Sequence, residues 1–116
     1  MDLKRTITRK FKIRQLKTLG SDVIIHSKEL QEDGTYLITY TRYVMGNYNF
    51  IVNKLVKQKY SDSEEFAILR KSINNPNNDE YLIYNAYVED CKVKARAFVK
   101  ERDSKLARYN ELELEV

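Results

Sequence analysis

The dipeptide Asp33-Gly34 constrains the fold of this chain more than any other local feature. A two-residue type I′ turn needs positive φ at both central positions, and Asp-Gly is one of the few pairs that accept it. The pair sits between two runs of strand-forming residues, 23–30 (VIIHSKEL) and 35–44 (TYLITYTRYV). An antiparallel hairpin is expected there. Gly46-Asn47 offers a second tight turn, of type II′, into residues 48–58 (YNFIVNKLVKQ), expected as a further strand. Upstream, residues 9–17 (RKFKIRQLK) alternate, with Phe11 and Ile13 on one side and Lys10, Lys12 and Arg14 on the other. Residues 9–58 therefore read as an antiparallel meander. If both turns hold two residues, Ile24, Tyr43 and Phe50 lie abreast, as do His26, Thr41 and Val52, and Leu30, Leu37 and Val56.

Beyond residue 60 the pattern changes. Ser61 followed by Glu64 is a capping box, in which the hydroxyl satisfies an orphan helix N–H and the carboxylate reaches back. Phe66, Ile68, Leu69 and Ile73 are read as one helical face, ending near Asn74 because Asn75-Pro76 disfavours helical geometry. Residues 80–108 admit two readings. Leu82, Tyr84, Ala86 and Val88 alternate as a strand would; Tyr84, Val88, Cys91, Ala95, Phe98, Arg102 and Leu106 fall on one helical stripe. The expectation is a strand near 81–88 and a helix within about 90–107, where Ala, Lys, Arg and Glu are enriched. The tail 111–116 (ELELEV) alternates again and is expected as a strand. The expected fold is α+β: a single domain over 1–116, with a meander of about 4–6 strands packed by one or two helices.

Composition excludes several classes. At 116 residues, 42% apolar and 33% charged, the chain is ordinary for a globular protein but too short for a doubly wound dinucleotide fold. One cysteine, Cys91, permits no internal disulfide, and paired zinc-ligand spacing is absent. No apolar run is long enough to span a membrane, and none follows the basic start as a secretory signal would require. The ends match neither a myristoylation nor a prenylation signal. The expected location is cytoplasmic or within a virion. Phe, Tyr, Met, Ile, Asn and Lys total 46 residues against 17 for Gly, Ala, Arg and Pro, the skew of an AT-rich genome.

Residues that could carry chemistry are few. His26 is the single histidine and is expected as a structural strand residue; it lacks the companions of a catalytic triad or metal site. Cys91 is expected as a small buried apolar residue. Glu64-Glu65 reads as favourable charge in a helical first turn, and Glu89-Asp90 as a turn or helix start. Three glycines supply no phosphate-cradling loop. No enzyme activity, cofactor or metal is expected. Nine tyrosines with no tryptophan admit three readings: half-buried fillers, interface residues, or a base-stacking platform.

The net charge of +4 is unevenly distributed. Residues 1–20 carry +6, from Lys4, Arg5, Arg9, Lys10, Lys12, Arg14 and Lys17 against Asp2, whereas the other 96 residues carry −2. The two ends are complementary. A basic strand with apolar Phe11 and Ile13 beside Lys10, Lys12 and Arg14 would match an acidic C-terminal strand, 110–116, with Leu112 and Leu114 beside Glu111, Glu113 and Glu115. Pairing between chains would build an oligomer from protein subunits. The expected role is a non-catalytic assembly protein, such as a phage connector, neck or tail-completion protein. The alternative is a small nucleic-acid-binding or host-interfering protein using the N-terminal cations Lys4, Arg5, Arg9, Lys10, Lys12, Arg14 and Lys17.

Overall fold

A computed structural model describes residues 3–114, with side chains from 3 to 109. The protein is α+β. Three strands, β1 (Lys4–Phe11), β2 (Val23–Leu30) and β3 (Tyr36–Tyr43), form an antiparallel sheet in the order β1-β3-β2. A 3-10 helix (Ile13–Thr18) follows β1, and three helices follow the sheet: α1 (Tyr48–Lys57), α2 (Asp62–Asn74) and α3 (Asp79–Leu114). The described residues divide into two compact units: a sheet unit of 3–45 with 101–114, and a helical unit of 46–100.

The Asp33-Gly34 hairpin forms with one residue more in its loop than a two-residue turn. Gln31 donates to the Thr35 carbonyl at 2.7 Å and Gly34 to that of Gln31 at 3.1 Å, so Glu32, Asp33 and Gly34 make the loop. Gly34 takes the left-handed conformation (φ 83°) that such three-residue loops require. Thr35 donates to the Asp33 carboxylate from its hydroxyl and its backbone N–H, which holds that carboxyl below its usual range. The extra residue shifts the expected register by one, so Leu30 pairs with Tyr36. A second shift, at a bulge between Ile25 and Ser27, restores the inward alternation, and Ile24 pairs with Thr41.

One sheet face carries the apolar cluster of Phe11, Val23, Ile38 and Tyr40, with Leu16 and Leu19 packed against it. Phe11 meets Tyr40 edge-on at 5.9 Å. The opposite face is polar: Thr6 bonds Thr41, and Thr8 bonds Thr39, each at 2.8 Å between hydroxyls. At that end of the sheet the last turns of α3 engage the strands. Arg102 is buried and donates to the Val44 carbonyl at 3.1 Å.

Among the described residues the sheet has three strands, not the expected four to six. The alternating stretch 9–17 remains a strand only to Phe11; Lys12 turns the chain into the 3-10 helix. Residues 48–58 are helix α1, not a strand. Asn47 starts it by accepting a hydrogen bond from the Phe50 N–H at 2.9 Å, and Ile51 and Leu55, four apart, are buried. Gly46 has positive φ (125°), and a Cβ there would overlap the Phe50 ring. The expected strand at 81–88 is also helix. The Asn78 side chain accepts from the Tyr81 N–H at 2.8 Å, and Asp79 and Glu80 add first-turn negative charge, so α3 starts before the ambiguous stretch. The helical stripe is the one realised: Tyr84, Cys91, Ala95, Phe98, Arg102 and Leu106 are buried and Val88 is half-buried. The expected acidic strand at 110–116 is likewise helical as far as Leu114, because α3 propagates without a breaker; residues 115–116 lie outside the described residues.

The Ser61 capping box forms as expected: its hydroxyl accepts from the Glu64 N–H at 3.2 Å, and α2 ends at Asn74. Within the helical unit Lys57 pairs with Asp62 and Glu65, and the Tyr84 hydroxyl donates to Glu65 at 2.6 Å. Burial, together with that carboxylate, pushes the Tyr84 phenol up to about 12. The pair of carboxylates raises the Lys57 ammonium. Tyr60 packs edge-on against Tyr84 and Tyr87, at 5.1 and 5.6 Å.

Candidate interaction surfaces

The N-terminal cations lie along a sheet edge. β1 pairs with β3 on one side only, and Lys4, Arg5, Arg9 and Lys10 project from it exposed, as do Lys12, Arg14 and Lys17 beyond. Lys4 pairs with Glu101 at 2.9 Å, Lys10 reaches Asp33 at 3.9 Å, and Arg9 sits 5.4 Å from the Phe11 ring centroid. Ion pairs so exposed contribute little to stability.

The complementary-strand arrangement is not the one formed. Phe11 is buried in the sheet core and unavailable as a contact, whereas Ile13 is exposed in the 3-10 helix. Lys12 and Arg14 lie past the end of β1 and do not continue the face of Lys10. Glu111, Leu112, Glu113 and Leu114 belong to the α3 backbone and so cannot supply a strand ladder, and Glu115 lies outside the described residues. Among the described residues none of these is in a ladder with β1, whose partner is β3.

The tyrosines are all at least partly covered. Tyr40, Tyr43 and Tyr84 are buried, and the other six are half-buried. Lys28 lies 4.7 Å from the Tyr36 ring centroid, and Arg42 5.9 Å from that of Tyr40.

His26 occupies the β2 bulge with its ring exposed, and its Nε2 lies 2.6 Å from the Thr41 hydroxyl. Cys91 is buried in α3. The Tyr87 hydroxyl donates to the Leu55 carbonyl at 3.0 Å, and desolvation, with Cys91 beside it, raises its phenol. Glu64 and Glu65 open α2, as expected, whereas Glu89 and Asp90 lie inside α3 and pair with Lys92 and Lys94. No cluster of three or more His, Cys, Asp or Glu comes together among the described residues, and no described helix is long and apolar enough to cross a membrane.

A surface the sequence reading missed lies on α2. Phe66 (71% exposed), Leu69 (45%) and Ile73 (80%) form one solvent-facing stripe. Ile68, which the sequence reading put on the same face, is the buried residue. At about 100° per residue, Ile68 sits some 160° from the stripe's Phe66, so a face containing both is not geometrically possible. The helical wheel alone carried this signal: two opposed apolar sides on one short helix.

Comparison of the chain with family models, with curated proteins and with solved structures finds no match.

Proposed function

We propose that this protein is a non-catalytic assembly component that works by binding protein subunits in an oligomeric complex. The observation that carries the reading is the α2 stripe. Exposed apolar residues at i, i+3 and i+7 are the anchor pattern by which an amphipathic helix docks into an apolar surface. Burying a large apolar side chain contributes about 1.5–3 kcal/mol relative to leaving it exposed, so three in a row favour association. An amino-acid usage skewed to residues with AT-rich codons suits a virion part, such as a phage connector, neck or tail-completion protein. Mass measurement by light scattering tests the reading. The wild-type chain is expected above its monomer mass of 13.8 kDa, and F66E with I73E at that mass.

The nucleic-acid reading is supported by the exposure of all seven N-terminal cations. It would replace the assembly reading if the wild type is monomeric at high concentration yet binds single-stranded DNA with steep salt dependence.

A further inference from the structure

Independently of any assembly role, the polar face of the sheet carries a cleft of about 480 Å³. That is the size of a small-molecule site. Its floor is a chain of three side chains, one from each strand. His26 Nε2 is 2.6 Å from Thr41 Oγ1, which is 2.8 Å from Thr6 Oγ1. Thr41 is buried and bonded on both sides. With the ring proton on Nε2, His26 donates to Thr41, Thr41 donates to Thr6, and the exposed Thr6 hydroxyl is left to donate into the cleft.

Three cations, Lys4, Lys105 and Arg108, stand around this floor. Lys4 and Lys105 each donate to Glu101 at 2.9 Å, which spends one N–H of each ammonium and leaves two. Glu101 in turn raises the Lys105 ammonium and so keeps it charged. Arg108 adds a planar fork suited to tetrahedral oxyanions. Three positive groups against one carboxylate leave a local charge of +2. A phosphate monoester carries about −1.5 to −2 at neutral pH. The phosphate fills only part of the volume; Ile24 and Tyr109 wall the remainder and offer apolar surface to an organic body.

We propose that this cleft binds a small phosphate monoester, with the phosphate held by Lys4, Lys105, Arg108 and the Thr6 hydroxyl and its organic body against Ile24 and Tyr109. Calorimetric and NMR titration of the full chain with adenosine 5′-monophosphate, inorganic phosphate and adenosine tests it. The expected result is one saturable site for the monophosphate, at least tenfold tighter than for inorganic phosphate. Adenosine should not bind measurably, and shifts should centre on Thr6, His26 and Thr41. K105M and R108M should each weaken the monophosphate at least tenfold, and K71M on α2 should leave it unchanged. Arg108 takes no part in the Glu101 pairs, so R108M reads the site even if K105M loosens that contact. Absence of saturable binding by either phosphate probe would overturn the proposal, as would binding that survives both substitutions. Equal affinity for inorganic phosphate and the monophosphate would overturn the role given to Ile24 and Tyr109.

Discussion

The sheet unit and the helical unit bury their apolar residues to different degrees. In the sheet unit, Phe11, Val23, Ile38 and Tyr40 close one face under Leu16 and Leu19, and the other face carries Thr6, Thr8, Thr39 and Thr41 with Lys4 and Lys10. In the helical unit, Ile51, Leu55, Val56, Ile68, Tyr84, Cys91, Ala95 and Phe98 are buried, yet Phe50, Phe66, Leu69, Ile73, Leu82, Ile83 and Val93 are exposed. Seven of the ten large apolar residues exposed among the described residues thus belong to the helical unit. Single exposed apolar residues are ordinary, whereas Phe66, Leu69 and Ile73 share one face of α2. The sheet presents charge and hydroxyls outward; the helices present surplus apolar surface.

The sharpest way to break this contrast is to remove side chains on either side of it. Ile38→Ala in the sheet and Ile51→Ala in α1 should each cost about 2–5 kcal/mol in urea unfolding, since both side chains are fully buried. Ile68→Ala belongs in the same range, whereas Ile73→Ser, five residues on, should change the stability of the isolated chain by no more than about 0.5 kcal/mol. Equal costs at 68 and 73 would mean that the α2 stripe is covered within the chain and is no docking surface. Gly46→Ala should destabilise by more than about 1 kcal/mol, because positive φ and the Phe50 ring both oppose a Cβ. Thermal melts of Asn47→Ala and Ser61→Ala should report about 0.5–2 kcal/mol each, the worth of a helix cap.

The smallest effect lies in the sheet unit. Hydrogen bonds from Lys105 and Lys4 hold the Glu101 carboxyl down at about 2, against an ordinary 4.5. A depressed carboxylate pKa contributes stability above the unfolded value and loses it as pH falls through the folded one. Acid unfolding should therefore steepen between about pH 4.5 and pH 2, and Glu101→Gln should flatten that part of the profile. An unchanged profile would place the pair in solvent with no role in holding α3 to β1.

Legibility in the sequence followed the range of the interaction. The Ser61–Glu64 box and the Asn74 stop are decided within four residues and were readable. The hairpin at Asp33-Gly34 was readable as a turn, although the loop length, and with it the register, was not. Residues 48–58 misled because Phe50, Ile51, Val52 and Val56 favour strands, while a single cap at Asn47 and the spacing of Ile51 and Leu55 outweighed them. The acidic tail misled because ELELEV alternates like a strand, yet it continues a helix already propagating from Asn78. The α2 stripe was hidden by grouping Ile68 with residues on the opposite side. The cleft was not legible at all, since Thr6, His26, Thr41 and Lys105 carry no spacing that links them.

By itself the sequence determined the α+β class, the turn of the first hairpin, the start and stop of α2, the buried stripe of α3 from Cys91 to Leu106, and a basic first 20 residues. These follow from local sterics, capping and periodicity. Only the tertiary structure decided that the sheet stops at three strands, that a bulge resets its register at His26, and that Lys105 and Arg108 come to the cleft floored by Thr6 and Thr41. Those outcomes depend on which surfaces meet across long stretches of chain. No short-range pattern encodes that, because the free energy of such a contact belongs to both partners at once.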